Sequence, residues 1–434
     1  MTFWYLTAMG PLADYQRRIV DDDLDELLGD LPAIALEGPK GVGKTRTALQ
    51  RANTVHRLDD PDELAIAEAD PARLLEGERP ILIDEWQRLP QTWDLVRRAV
   101  DDGAPPGSFL LTGSALPDPP PTHSGAGRIV TLRMRPLAMS ERLQTATVSL
   151  GELLSGDHGP VIGTTDLALA GYTEEILASG LPGLRSLSER ARRLQLDGYL
   201  DRVVDRDIPD DAGVIIRSPA ALRRWMAAYA AASSTTATFE KLRDAASAGH
   251  EHKPSKNASH AYRDALARVW MLDEVPAWIP SNNRLRELGQ APKHQLADPA
   301  LAAQLLGAQA STLLTGQSSG PSIARDGTLL GALFESLATQ SVQVYAARCE
   351  AKVGHLRTAR GRHEVDLIVE RADGGVVAME VKLARSVAGD AKHLTWLEQK
   401  LGDRVLDRVI LTTGPEAYRR QDGIAVVPLA LLGP

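Results

Sequence analysis

The string Gly38-Pro39-Lys40-Gly41-Val42-Gly43-Lys44-Thr45 follows directly on the apolar run Leu31-Pro32-Ala33-Ile34-Ala35-Leu36. A Gly-rich turn between a strand and a helix points several backbone N–H groups at one spot, and the helix dipole adds partial positive charge there. The chemistry such a turn serves is the capture of a nucleotide's β- and γ-phosphates. Gly38, Gly41, Val42 and Gly43 would form the cradle, Lys44 would pair with the phosphates as a point charge, and the Thr45 hydroxyl would hold Mg²⁺. The competing reading is a Gly-rich turn with no ligand, and the complete GxxxxGKT string in a strand–helix setting argues against it.

The run Pro80-Ile81-Leu82-Ile83 delivers two carboxylates, Asp84 and Glu85, at its end. In an open α/β sheet the C-terminal edge of a buried parallel strand is where ligands bind. Asp84 would hold the Mg²⁺ through its water shell, and Glu85 would orient and polarise an attacking water. An Asp-Glu pair can also simply cap a helix. A further apolar run, Phe109-Leu110-Leu111, stops at Thr112-Gly113-Ser114. Thr112 and Ser114 either sense the γ-phosphate or cap a turn. Arg128, ahead of the strand-like Ile129–Leu132, is either a finger that reaches a neighbouring subunit's nucleotide in a homo-oligomer or a surface residue on a strand edge. No Asn-Lys-x-Asp string occurs, which favours ATP over GTP.

A second group of chemistry-bearing residues lies near the C-terminus. His363–Val369 and Val376–Lys382 read as alternating strands joined by the Asp373-Gly374-Gly375 turn. That hairpin sets Asp366 beside Glu380, and Lys382 leaves the same strand face as Glu380 because the two are two residues apart. Two carboxylates on a hard cation with a lysine beside them suit a Mg²⁺-dependent phosphodiesterase, with Asp366 and Glu380 as metal ligands and Glu335, from a preceding helix, as a third carboxylate. A solvated hairpin with an exposed Glu–Lys pair is the alternative. Arg348, Lys352, Arg357, Arg360 and Arg362, opposed by Glu350, offer local positive charge for a phosphodiester backbone.

The elements that must position these residues are an α/β P-loop ATPase core over 1–137, a helical lid and bridge over 138–210, a winged-helix-like region over 211–312 and an α/β nuclease-like domain over 325–434. Three helices, Ala220–Ala232, Phe239–Ala248 and His260–Met271, with a strand at Val275–Ile279, suit a winged helix, a module that binds DNA or protein. Lys253, Lys256 and Arg263 give it modest positive charge, which a solvated face explains equally well. His250, His252 and His260 lack a cysteine partner and do not suit zinc.

At 434 residues the chain is long enough for roughly three domains of ordinary size, and 43% hydrophobic with 24% charged residues is the composition of a soluble globular protein. Aromatics are scarce at 4%, so the cores are expected to be aliphatic. The net charge of −8 argues against non-specific coating of nucleic acid and leaves local basic patches for any such contact. A single cysteine, Cys349, suits a reducing cytoplasm, and no run reaches the length of a membrane span.

Gly38 to Thr45, Ile81–Glu85, Leu111–Ser114 and Gly127-Arg128 followed by Arg135-Pro136-Leu137 together resemble the AAA-superfamily ATPases of bacteria and archaea that carry a C-terminal domain of unknown function. The resemblance runs over nearly the whole chain. It implies ATP and Mg²⁺ as cofactors. The C-terminal order Glu335, Asp366, Glu380-x-Lys382 is similar to the core of restriction-endonuclease-like nucleases, with Val365 where a proline usually precedes the Asp. Thr112-Gly113-Ser114 stands where an Asn sensor is common, and no second sensor Arg can be assigned, which implies slow or conditional turnover. Two functions follow. One is an ATP-dependent nuclease or nucleic-acid-processing ATPase, with DNA favoured over RNA. The other is an ATP-dependent switch that recruits a protein partner, its nuclease-like domain serving only for binding.

Overall fold

The computed structural model describes residues 15–117, 122, 124–211, 214–247, 254–279, 291–316, 327–358, 361–384 and 391–434. By contact density the chain divides into two compact units, one built from Met1–Met134, Asp205–Ile215 and Arg268–Trp270, the other from the remainder.

The first unit is built on five short parallel strands. These are β1 (Ala33–Glu37), β2 (Thr54–Arg57), β3 (Ile81–Asp84), β4 (Phe109–Gly113) and β5 (Val130–Arg133), arranged β2-β3-β4-β1-β5. Every residue of β1, β3 and β4 is buried, as near-continuous apolar runs in a sheet covered on both faces require. Side-chain alternation splits them between two cores. Ala33, Ala35, Ile81, Ile83, Phe109 and Leu111 pack with Trp86, Trp93 and Val96. Ile34, Leu36, Leu82 and Leu110 pack with Leu24 and Ala48. Helix α1 (Ile19–Leu27) and the short α2 (Lys44–Ala48) lie on the second face, and α4 (Gln91–Asp101) on the first, while α3 (Pro61–Ala69) follows β2. Regular helix after the loop ends at Ala48, the continuation being a turn.

The second unit holds a mixed sheet and most of the helices. Its strands are β6 (Val148–Ser149), β7 (Gly163–Thr164), β8 (Lys352–Arg357), β9 (Glu364–Glu370), β10 (Val376–Lys382), β11 (Val405–Thr412), β12 (Glu416–Arg419), β13 (Ala425–Pro428) and β14 (Leu432–Gly433). Seven of them form one sheet in the order β7-β12-β13-β11-β10-β9-β8, and β14 pairs with β6. The expected β9–β10 hairpin is antiparallel, with Met379 opposite Leu367 and Val376 opposite Glu370. β10, β11 and β13 run parallel. The helix Leu329–Arg348 packs on β8 and β10 and buries most of its length.

Between the two constellations in sequence, the helices Pro219–Ala231, Phe239–Ser247 and Lys256–Arg268 fall where the winged-helix reading placed three helices. The following strand pair is reduced to isolated antiparallel bridges, Leu272 to Leu296 and Val275 to Lys293, with Ala277 bridged in parallel to His355. Lys253, His250, His252 and Arg360 lie outside the described residues. The scarce aromatics are not left to the surface: Trp86, Trp225, Tyr172, Tyr229, Tyr345, Phe109 and Phe334 are among the largest fully buried side chains. The cores are therefore aliphatic with aromatic centres, because a ring removes more apolar area from water than any aliphatic chain.

Candidate functional site

The phosphate-loop residues meet the carboxylates of β3 and the hydroxyls of β4 along one edge of the first sheet. The loop leaves β1 at Gly38, whose φ of 153° and near-contact with the chain after β5 leave no room for a side chain. Gly43 enters α2 from a left-handed conformation at φ 104°, which only glycine adopts at little cost. Lys44 is buried and donates from Nζ to the carbonyls of Gly38, 2.8 Å, and Pro39, 3.0 Å. Its ammonium thus closes the loop on itself. Burial pulls its pKa down to about 8, against the opposing pull of Glu85 and Asp84.

Thr45 Oγ1 donates to Asp84 Oδ1 at 2.8 Å, and Thr112 Oγ1 donates to the same oxygen. Burial pushes the Asp84 carboxyl above its usual range, with the two hydroxyls opposing it. One step along the chain, Glu85 adopts a left-handed φ of 57°, an uncommon conformation for a residue with a Cβ. Its Oε2 accepts from Ser114 Oγ at 2.7 Å and from Gln87 Nε2, while Gln87 Nε2 also reaches Ser114 Oγ at 3.1 Å. Thr112 and Ser114 thus each hold one of the two carboxylates. Gly113 separates them because a Cβ there would stand 2.6 Å from Trp86 Nε1. A hydroxyl and a carboxylate oxygen of this kind are hard donors that suit Mg²⁺ when nucleotide phosphates complete its shell, so the residues present fit Mg²⁺–nucleotide.

Arg128 sits in a turn, half exposed. It donates from Nε to Asp101 Oδ1 of α4 at 2.8 Å and from Nη1 to the Ala126 carbonyl at 3.2 Å. Within this chain it is paired, not directed at the phosphate loop. Two loop partners carried no local signal in the sequence. Gln87 braces Glu85, and Lys40 reaches Asp207 Oδ1 at 2.7 Å and Asp211 Oδ2 at 2.6 Å, residues far along the chain.

The C-terminal constellation also assembles. Asp366 Oδ2 accepts from the Val381 N–H at 2.9 Å, and Lys382 Nζ donates to Glu380 Oε2 at 3.0 Å. Glu335, Asp366, Glu380 and Lys382 line one cavity of about 720 Å³ with Arg357, Glu364 and His393. The residue that sequence reasoning missed is Lys293. Its side chain is 1% exposed, and Nζ lies 2.8 Å from Glu335 Oε1, 2.9 Å from Asp366 Oδ1 and 3.4 Å from Glu364 Oε1. No local pattern marks it, because every partner of its side chain is at least forty residues away. Burial works against the Asp366 anion, but Lys293, the Val381 N–H and Lys382 together hold its carboxyl below the usual range. Glu335 is pushed up to about 7 by burial and Glu380 up to about 8 by burial and the Asp366 charge. Glu380 Oε1 has no hydrogen-bond partner among the described residues. Among those residues no group of three or more His, Cys, Asp or Glu is placed to hold a metal ion. A Mg²⁺ on Asp366 and Glu380, as the sequence leads one to expect, would share Asp366 with the Lys293 ammonium, which lies 2.9 Å from its Oδ1.

A parallel β2-β3-β4-β1-β5 sheet with a phosphate loop after β1 and paired carboxylates at the end of β3 is that of an AAA-type P-loop domain, and residues 30–143 match the family described as AAA domain. Residues 169–312 match a domain of unknown function, DUF8612, and residues 330–432 match another, DUF4143. An uncharacterized protein of Mycobacterium tuberculosis and one of Mycobacterium bovis are each 26% identical over 302 residues, covering 67% of this chain and 60% of the relative. The chain thus spans about 60% of the length of these curated relatives. Among solved structures, a Walker-type ATPase of Pyrococcus abyssi is similar with a TM-score of 0.40 at 15% identity, covering 67% of this chain and 96% of that one. The RuvB Holliday junction branch migration motor of Thermotoga maritima aligns with a TM-score of 0.27 at 20% identity, over 59% of this chain and 89% of that one. No helix among the described residues is long and apolar enough to cross a membrane.

Proposed function

We propose that this protein binds ATP at the phosphate loop and hydrolyses it slowly, and that this cycle governs a C-terminal nuclease-like domain that engages nucleic acid. The observation that carries the proposal is the convergence of Lys44, Thr45, Asp84 and Glu85 with Thr112 and Ser114 at one sheet edge. Lys44 exchanges its loop carbonyls for phosphate oxygens. Thr45 and Asp84 would hold Mg²⁺, which when bound offsets phosphate charge. Glu85, fixed by Ser114 and Gln87, takes a proton from the attacking water, and Thr112 keeps Asp84 oriented. Slow turnover follows from a site whose sensor hydroxyls are spent on the protein's own carboxylates. Arg128 acts in another subunit's site only if it leaves Asp101.

Lys44→Ala tests the reading directly. It removes the buried cation that faces the phosphates, so nucleotide affinity should fall by at least about 100-fold in a titration with a fluorescent ATP analogue. Unchanged affinity would overturn the assignment. A second expectation concerns Lys40, which the carboxylates of Asp207 and Asp211 hold beside the loop. These negative charges oppose an incoming triphosphate, so Asp207→Asn should tighten ATP binding by roughly 3- to 10-fold in the same assay. Weaker binding would mean that Asp207 supports the loop's shape instead.

Of the two readings for the last domain, binding without cleavage is favoured by the Lys293 ammonium on Asp366. Arg357 and Lys382 line its cavity beside Glu364 and Glu380, and would meet a phosphodiester backbone by exchanging those carboxylates for phosphate oxygens. Cleavage of DNA or RNA in Mg²⁺ or Mn²⁺ that is lost in Asp366→Asn, Glu380→Gln and Lys382→Ala would reverse that preference.

A further inference from the structure

Lys293 is rooted more firmly than a side chain that merely visits an acidic pocket. Its N–H donates to the Val275 carbonyl at 2.9 Å and its carbonyl accepts from the Val275 N–H at 3.0 Å. The residues around it are tied down as well. His355 Nε2 meets the Ala291 carbonyl at 2.9 Å, His294 Nε2 meets the Ala237 carbonyl at 2.7 Å, and Gln295 Nε2 donates to Ser234 Oγ at 2.9 Å. The ammonium so delivered is surrounded by carboxylates from a helix and a strand: Glu335 on Leu329–Arg348, and Glu364 and Asp366 on β9. A buried ammonium is costly unless anions surround it, and a cluster of buried carboxylates is costly unless a cation stands among them. Each makes the other tenable, and the side chain of Lys293 is almost wholly buried in doing so.

We infer that Lys293 is the resident cation of this cluster: its ammonium stands on Glu335, Glu364 and Asp366 in place of a divalent metal ion, and these carboxylates, which are not placed to hold a metal as they stand, take one only when the ammonium is removed and they draw together. The cation position is thus defined by Glu335, Glu364 and Asp366, not by Asp366 and Glu380 as the strand spacing alone implies. Asp366 Oδ2 is committed to the Val381 N–H, and a divalent ion on Oδ1 would be set against a buried ammonium in a medium that screens poorly. Glu380 Oε2 accepts from Lys382 Nζ at 3.0 Å, so part of its charge is offset by a second ammonium. The inference deepens the reading of the last domain as a binding rather than a cleaving module, and rests on it only for its functional meaning.

The test is a count of Mn²⁺ bound per chain by the full-length protein without nucleotide, read from the paramagnetic signal of the free ion. The Thr45–Asp84 site is common to every variant and cancels in the comparison. Wild type and Asp366→Asn should bind equally, and Lys293→Met should gain one Mn²⁺ per chain, at least 10-fold tighter than any wild-type site, that Lys293→Met/Asp366→Asn loses. An Asp366-dependent Mn²⁺ in wild type overturns the inference, as does a folded Lys293→Met that gains none. Should Lys293→Met fail to fold, recovery of its melting transition on refolding with Mn²⁺ supports the inference. Failure to recover with Mn²⁺, while Lys293→Met/Glu364→Gln folds, shows an ammonium needed only for charge balance and overturns it. Because no nucleotide is present, these outcomes are separable from the fate of the ATPase reading, which rests on Lys44→Ala.

Discussion

Glu85→Gln is expected to lower ATP turnover by roughly 10²- to 10³-fold while leaving ATP affinity within a few-fold of wild type. The side chains are isosteric, so the substitution keeps the shape of the site and the hydrogen bond with Ser114, and removes only the basic oxygen. Glu85 is held for that task at some cost. Its left-handed backbone is worth about 1 kcal/mol of strain in a residue with a Cβ, and its Oε2 collects both Ser114 Oγ and Gln87 Nε2. Single-turnover phosphate release separates this outcome from a binding defect. If the variant hydrolyses ATP at the wild-type rate, Glu85 serves only to hold Ser114 and Gln87 and the attacking water is activated elsewhere. Loss of binding along with turnover would instead make Glu85 part of the loop's architecture, since Glu85 is also among the charges that keep Lys44 protonated.

The second large effect is on stability. In Gly38→Ala the new Cβ would stand 2.1 Å from the Met134 carbonyl oxygen, at a backbone φ of 153°. No real Cβ tolerates that distance, and the atom it meets is backbone. Met134 in turn cannot retreat freely, because its N–H donates to the Glu37 carbonyl at 2.7 Å. The expected cost is about 3 kcal/mol or more, seen as a large drop in the melting temperature of the first unit and loss of nucleotide binding. Gly103→Ala is the matched control. Gly103 also has a positive φ, 95°, but a Cβ there meets nothing within 4 Å, so the cost should be the conformational strain of about 1 kcal/mol. Equal melting shifts for the two variants would show that the loop yields where the close approach says it cannot.

These two residues also mark how far the sequence could be read. The strands of the first sheet were legible because each is a short apolar run ending in polar residues, and the loop string lies next to one of them. Asp84 and Thr112 follow from that pattern, being the last inward positions of β3 and β4, and their pairing across the sheet edge needs only the parallel register. The β9–β10 hairpin was legible for the same kind of reason, with alternation broken by Asp373-Gly374-Gly375. What could not be read were partners brought in by tertiary packing. Lys40 carries no mark of its bond to Asp207, nor Gln87 of its hold on Glu85. Lys293 lies in a stretch, Ala291 to Leu296, with no strong helical or strand pattern. Its neighbours are chosen by a bridge to Val275 and by the approach of the helix Leu329–Arg348, and neither leaves a periodic trace. Spacing names the carboxylates on one hairpin, but only packing brings the Lys293 ammonium to Asp366.

Trp86, which follows Glu85 directly, lies buried with its ring centre 4.8 Å from that of Trp93 and the planes inclined at 40°. Two indoles so close exchange excitation and give a coupled pair of ultraviolet dichroic bands that neither would show alone. Trp86 lies against β4 at Gly113, where a Cβ would collide with it, and Trp93 lies against the chain at Gly125 in the same way. A chain with few aromatic residues has thus placed an optical gauge beside its proposed water-activating carboxylate. Nucleotide occupancy and the fit of β4 beneath it should be readable as changes in that signal, without attaching any label.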